Sequence, residues 1–87
     1  MPKVCRVGDM VSGPDGQGQA QTGSGTVKID GKAVCRVGDA DNVGGIHHFN
    51  KGSGTVKIEG KAVVRVSDTD DHDNRVQVGS PTVKIDG

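Results

Sequence analysis

Three histidines are the side chains of this 87-residue chain best suited to holding a transition metal: His47 and His48 side by side, and His72 further along. A structural zinc takes four N or S ligands in a tetrahedron. The imidazoles would supply three, and a Cys, Asp70, Asp71 or water the fourth. Zinc is the expected ion, and iron suits the same donors. His47 and His48 can both ligate only if the backbone turns between them. The alternative is three solvated loop histidines. Cys5 and Cys35 invite a similar reading, but Val64 occupies the corresponding place later in the chain. A position that accepts Val is a core position, and a free Cys behaves as a small hydrophobe. Two cysteines also make no disulfide framework. The acidic run Asp68-Thr69-Asp70-Asp71-His72-Asp73-Asn74 offers oxygen ligands for calcium but lacks the EF-hand Gly and distal Glu; a solvated loop is the plainer reading. No Ser-His-Asp or Cys-His arrangement has a plausible setting. The Gly-rich stretch from Gly13 to Gly25 lacks the Lys-Ser/Thr and the helix of a phosphate loop.

The elements that must position these residues come as internal repeats. Arg6-Val7-Gly8-Asp9 recurs as Arg36-Val37-Gly38-Asp39 and as Arg65-Val66-Ser67-Asp68. Gly23-Ser24-Gly25-Thr26-Val27-Lys28-Ile29-Asp30-Gly31 recurs from Gly52 to Gly60 and again from Gly79 to Gly87. Two interleaved motifs, each three times, divide a single domain 1–87 into units of about 1–31, 32–60 and 61–87. Each unit predicts two short strands. In Val4 to Asp9, Arg6 should face one side and Cys5 and Val7 the other. In Thr26 to Ile29, Val27 and Ile29 should face in. By the same alternation Val27, Ile29, Val56, Ile58, Val83 and Ile85 are expected to form the inner core. Asp30-Gly31 and Glu59-Gly60 read as hairpin turns joining one unit to the next. A third such turn would begin at Asp86-Gly87 and end at Met1-Pro2. The simplest inference is a closed ring of three hairpins with neighbouring termini and pseudo-threefold symmetry. The loops Met10 to Thr22, Ala40 to Lys51 and Thr69 to Val78 have 13, 12 and 10 residues, longer than ordinary hairpin loops. They leave equivalent strands, so they should gather at one end. Arg6, Arg36 and Arg65 are each expected to pair with an Asp or a loop carbonyl. Gly8-Asp9 and Gly38-Asp39 read as strand-ending turns.

Composition agrees with an all-β chain. There are 14 Val and 4 Ile but no Leu, Trp or Tyr, and Gly accounts for 15 residues, which excludes a helical bundle. A core this thin rarely holds without a metal, a disulfide or a partner. Lys plus Arg and Asp plus Glu are both 11, so there is no basic footprint, and with one aromatic side chain nucleic acid is not an expected partner. No apolar run could span a bilayer, and no signal-peptide pattern opens the chain. Synthesis in the cytoplasm without general secretory export is the expectation.

The two motifs resemble those of the PAAR-repeat family, with segments of the type P-A-A-R-x-G-D and G-S-P-T-V-x-I-N-G. The first stands here as Lys32-Ala33-Val34-Cys35-Arg36-Val37-Gly38-Asp39, the second most clearly as Gly79-Ser80-Pro81-Thr82-Val83-Lys84-Ile85-Asp86-Gly87. The resemblance covers essentially the whole chain, although Val-Cys, Val-Cys and Val-Val precede the arginines in place of Ala-Ala. It implies a cone-shaped tip that caps a trimeric β-helical spike, one copy per trimer, in a type VI secretion system or contractile phage tail. Such a tip is non-enzymatic, takes no small-molecule substrate and touches the target membrane transiently. It is made in the cytoplasm, assembled on the spike, and delivered through the target membrane or secreted. The resemblance also implies a zinc near the vertex held by three His and a Cys, with one ligand seven residues after the Arg. That position is Gly13, Val43 and His72 in the three units, so only His72 matches; His47, His48 and His72 are the ligands expected. The alternatives are a zinc- or calcium-dependent binding module and a small metal hydrolase.

Overall fold

The computed structural model describes residues 1–85; Asp86 and Gly87, and with them the turn expected there, lie outside the described residues. The described chain is all β, without a helix, and is built from small antiparallel hairpins. β1 (Met10–Gly13) pairs with β2 (Gly16–Gln19) and, on its other edge, with β9 (Arg75–Val76). β3 (Lys28–Ile29) pairs with β4 (Lys32–Ala33), β5 (Ala40–Asp41) with β6 (His47–His48), and β7 (Lys57–Ile58) with β8 (Lys61–Ala62). The long loops are therefore themselves partly paired.

The two inter-unit turns form as the sequence expects. Ile29 faces Lys32 and Ile58 faces Lys61 across two-residue loops. Asp30 and Glu59 both sit at φ 55, and Gly31 and Gly60 at φ 78. Positive φ at both central residues marks the type I′ turn, whose twist suits paired strands. The first and last described segments meet in the same way: Lys3 bridges Lys84, and Ile85 N donates to Pro2 O at 3.0 Å.

Corresponding positions of the units make corresponding contacts. Cys35 N donates to Cys5 O (3.0 Å), Val64 N to Cys35 O (3.0 Å) and Cys5 N to Val64 O (2.9 Å), which closes a ring of hydrogen bonds. A second ring joins the loops: Gln21 N to Ala40 O, Asn50 N to Thr69 O, and Gln77 N to Met10 O. Gly23, Gly52 and Gly79 each lie where an added Cβ would come 2.8 Å from a carbonyl oxygen, of Val34, Val63 and Val4 respectively. This motif glycine is there because backbone passes against it.

The alternation inferred for Val4 to Val7 does not hold. Val4 (1% exposed) and Cys5 (0%) are both fully buried, and Arg6 (7%) nearly so. The segment runs between two apolar clusters. Val4, Val34 and Val63 form one; Cys5, Cys35 and Val64 enter the other, with Val11, Ala20, Val43, Phe49 and Val76. A segment covered on both faces has no solvent side, so period two disappears. The inner core is therefore not the set of residues that the alternation predicts. Val27, Ile29, Val56, Ile58, Val83 and Ile85 do face inward relative to their polar neighbours, but they are only half-buried and pack around the Val4–Val34–Val63 cluster. The core itself lies in the R-x-G-D strands and the loops behind them.

The repeated Arg and Asp form charged clamps. Arg6 donates from N and Nε to Asp9 Oδ2 (2.8 and 3.0 Å) and from Nη2 to Asp9 Oδ1 (2.9 Å). Arg36–Asp39 and Arg65–Asp68 repeat this geometry. Asp9, Asp39 and Asp68 each close a turn by donating N–H to the arginine carbonyl at 2.9–3.0 Å. Gly8 (φ 95) and Gly38 (φ 97) supply the positive φ this turn needs, and Ser67 (φ 80) supplies it in the third unit without being glycine. The turn acids add a contact that sequence reading did not foresee. Asp30 accepts from Arg6 Nη1 (2.9 Å), Ser80 Oγ (2.8 Å) and Thr82 Oγ1 (3.1 Å). Glu59 accepts in the same way from Arg36, Ser24 and Thr26. Each turn acid thus ties its hairpin to two other segments. Hydroxyl donors first, and then the arginine, hold both carboxyls below their ordinary range.

Candidate metal centre

The three loops meet at one cluster, and each contributes a side chain. Asp15 stands at the tip of the β1–β2 hairpin, in the turn Gly13-Pro14-Asp15-Gly16, where Gly16 takes φ 116. His47 opens β6, opposite Asp41. His72 sits in the turn between Asp70 and β9. One ligand atom from each of Asp15, His47 and His72 lies within 4.8 Å of the others. Asp15 Oδ2 is 3.1 Å from His72 Nδ1 and 3.6 Å from His47 Nε2. Donors bound at 2.0–2.1 Å around a tetrahedral ion stand about 3.3 Å apart, so these two edges bracket the spacing an ion needs. The imidazoles of His47 and His72 are stacked, with centroids 3.8 Å apart.

The cluster is held from below by hydrogen bonds across the loops. Asn74 donates from Nδ2 to Asp15 Oδ2 (3.1 Å) and accepts on Oδ1 from Asp15 N (3.2 Å). Asp70, fully buried, accepts from His72 N (2.8 Å) and Asn74 N (3.0 Å) on Oδ1 and from Asn74 Nδ2 (3.0 Å) on Oδ2. Burial pushes the Asp70 carboxyl up, but its donors outweigh burial and hold it low. Its neighbour Asp41, also fully buried, behaves oppositely. Burial first, and then the neighbouring Asp70 carboxyl, raise it to about 7. Val11, Asp41 and Asp70 occupy the same place in the three units, five residues after the arginine. An apolar position in the first unit has become a carboxyl pair in the other two.

The sequence-derived ligands divide. His47 and His72 come together, as expected of two residues on different loops. His48 does not join them: it is the solvent-facing neighbour of His47 within β6, where successive side chains point to opposite faces. Of the fourth-ligand candidates, Asp70 is committed to its donors. Asp71 Oδ1 lies 3.4 Å from His47 Nδ1, the nitrogen facing away from Asp15. That is the place of a carboxylate that orients a ligating imidazole. Cys5 and Cys35 are fully exposure-free members of the apolar core and are not in the cluster. Sequence reading missed Asp15. The first unit has no histidine, but its Pro14-Asp15-Gly16 turn signature marks a loop tip that carries a carboxylate.

With two nitrogens, one carboxylate oxygen and His72 more than half exposed (side chain 55%), the cluster suits a borderline metal ion with one position left open to solvent. No protein-family model and no curated protein sequence matches the chain.

Proposed function

We propose that the chain is the tip of a trimeric β-helical spike: a non-enzymatic cap, one copy per trimer, that sharpens the spike and helps it pierce a target membrane. The observation that carries this reading is the closed ring of backbone hydrogen bonds through Cys5, Cys35 and Val64. A single chain can satisfy three equal strand edges of a trimer only if it offers three equivalent faces. The ring, the repeated clamps and the bridge between Lys3 and Lys84 support three hairpin units standing around a common axis in a small cone. Overall dimensions of 27 × 23 × 23 Å, with two axes equal as threefold symmetry requires, are in keeping with it. The half-buried Val27, Ile29, Val56, Ile58, Val83 and Ile85 give the cone an apolar base for the blunt end of the spike. Strand-edge pairing there would add main-chain hydrogen bonds. The motifs and their resemblance to the PAAR-repeat family supply the rest: synthesis in the cytoplasm, assembly on a phage tail or secretion spike, and transient membrane contact.

Zinc, with iron as the second choice, is proposed at the opposite end, held by Asp15, His47 and His72. An ion there would add a direct link between loops that already share hydrogen bonds and the Val11–Val43–Phe49–Val76 cluster. The exposed, open position favours one second reading, a metal-dependent binding module or small metal hydrolase.

Native mass spectrometry of the chain co-expressed with a trimeric β-helical spike protein encoded near it tests both parts. One copy per trimer with the mass of one added zinc or iron supports tip and site together. One copy without metal keeps the tip and removes the ion. A chain that stays free of the spike while holding metal favours the binding-module reading. His72→Ala should abolish the added metal mass and His48→Ala should leave it.

A further inference from the structure

The metal cluster and the apolar base leave one reactive group unused: the two thiols at the centre of the molecule. We propose that Cys5 and Cys35 form a redox site, a thiol pair aligned to close into one disulfide that ties the first unit to the second. Their backbones are already joined, since Cys35 N donates to Cys5 O at 3.0 Å. The antiparallel bridge between Arg6 and Val34 sets Cys5 opposite Cys35 in register, and hydrogen-bonded antiparallel partners hold their Cα atoms about 5.5 Å apart, within the span of about 4.4–6.8 Å that a disulfide bridges. Both side chains are fully buried in the same apolar cluster. The third corresponding position holds Val64, so the layer contains one reactive pair and no competing sulfur.

The oxidant that fits a closed core is a small hydroperoxide. One cysteine sulfur, as thiolate, attacks a peroxide oxygen; the O–O bond breaks and the leaving hydroxide takes up the thiol proton as water. The resulting sulfenic sulfur is attacked by the second sulfur; its S–O bond breaks, the S–S bond forms, and hydroxide leaves with the second proton as a second water. Two electrons pass from the two sulfurs to hydrogen peroxide, and two waters are released. The neighbouring Cys35 thiol and burial both raise the Cys5 thiol above its ordinary value, so thiolate is scarce and the native protein reacts slowly. The same burial shields the product from reductants. The pair is therefore a slow, one-way staple that closes when the protein passes from a reducing to an oxidising compartment. It encloses the 29 residues between positions 5 and 35, which limits the unfolded chain.

The test treats the reduced protein with excess hydrogen peroxide just below its melting temperature. Expected are a mass loss of about 2 Da with one Cys5–Cys35 peptide in a non-reducing digest, and a rise in Tm on the order of 10 °C. Dithiothreitol should reverse both only after unfolding. Cys35→Val, which copies the third unit, should fold and show neither change. Thiols that survive the treatment, oxygen added as sulfinic or sulfonic acid, disulfide-linked dimers, or an internal disulfide that lowers Tm would each overturn the proposal.

Discussion

Replacing Asp41 with Asn is expected to remove most of the pH dependence of stability between pH 5 and 8. Asp41 Oδ2 is the single buried side-chain oxygen among the described residues without a hydrogen-bond partner, and Asp70 lies against it. A proton on Asp41 settles both facts, because the carboxylic acid can donate to the Asp70 carboxylate. The Asp41 carboxyl moves from its ordinary 3.8 to about 7 in the fold, with burial as the main cause. Between those values the folded chain keeps a proton that the unfolded chain has lost. Stability is therefore fully present below the lower value and falls as pH rises toward the upper one, by about 1.4 kcal/mol per pH unit. From pH 5 to 7 the loss comes to about 2 kcal/mol, a large share of what a small domain has. Carboxyls held low work in the opposite direction: Asp39 and Asp70, whose donors outweigh burial, and the turn acids Asp30 and Glu59 all lose their contribution as pH falls below the ordinary carboxylate range. The two trends place the optimum near pH 4–5, below the usual range. Urea unfolding at half-unit steps from pH 3 to 8 measures the curve. Asn at position 41 keeps a donor to Asp70 but cannot ionise, so the variant should match the native chain at pH 5 and exceed it at pH 8. A native chain whose stability is flat from pH 5 to 8, or an Asn variant with an unchanged slope, would refute the shared proton.

Arg6→Ala should cost about 3 kcal/mol in urea unfolding, because it leaves the buried Asp9 carboxylate unpaired. Glu59→Gln, at a largely solvated carboxylate, should cost clearly less. Ser67→Gly should raise stability by about 0.5–1 kcal/mol, since this residue adopts a φ of 80 that the other two units give to glycine; an unchanged or lower midpoint would show that Ser67 is not strained. Ile58→Ala should cost only about 1–2 kcal/mol in the free chain because the side chain is half-buried. In a pull-down on the proposed spike trimer, at a temperature where the variant stays folded, it should weaken capture at least tenfold, and unchanged capture would argue that the apolar base is not the docking surface.

Sequence reading reached the hairpins because their chemistry is local. Asp-Gly and Glu-Gly between two apolar-alternating strands specify a turn, a register and the facing of Val27 and Ile29 without reference to the rest of the chain. It reached the Arg–Asp clamps for the same reason, since their partners are three residues apart. It failed where a residue's surroundings are assembled from distant segments. Val4 and Cys5 alternate in pattern yet are both buried, because another strand covers each face. His47 and His48 are equivalent in composition, and only pairing within β5–β6 decides which one turns toward the other loops. Asp15 and His72 are 57 residues apart and meet because every unit sends its loop to the same place. That last point was implicit in the repeat. If three loops converge, each unit should be searched at its loop tip for a donor of any kind, not for histidine alone. Searched in that way, the Pro14-Asp15-Gly16 turn supplies the first unit's donor. The pair Asp41 and Asp70 follows by the same logic: two acids where the first unit has a buried Val are two acids in a core, and a core holds such a pair only by sharing a proton or by burying a cation between them.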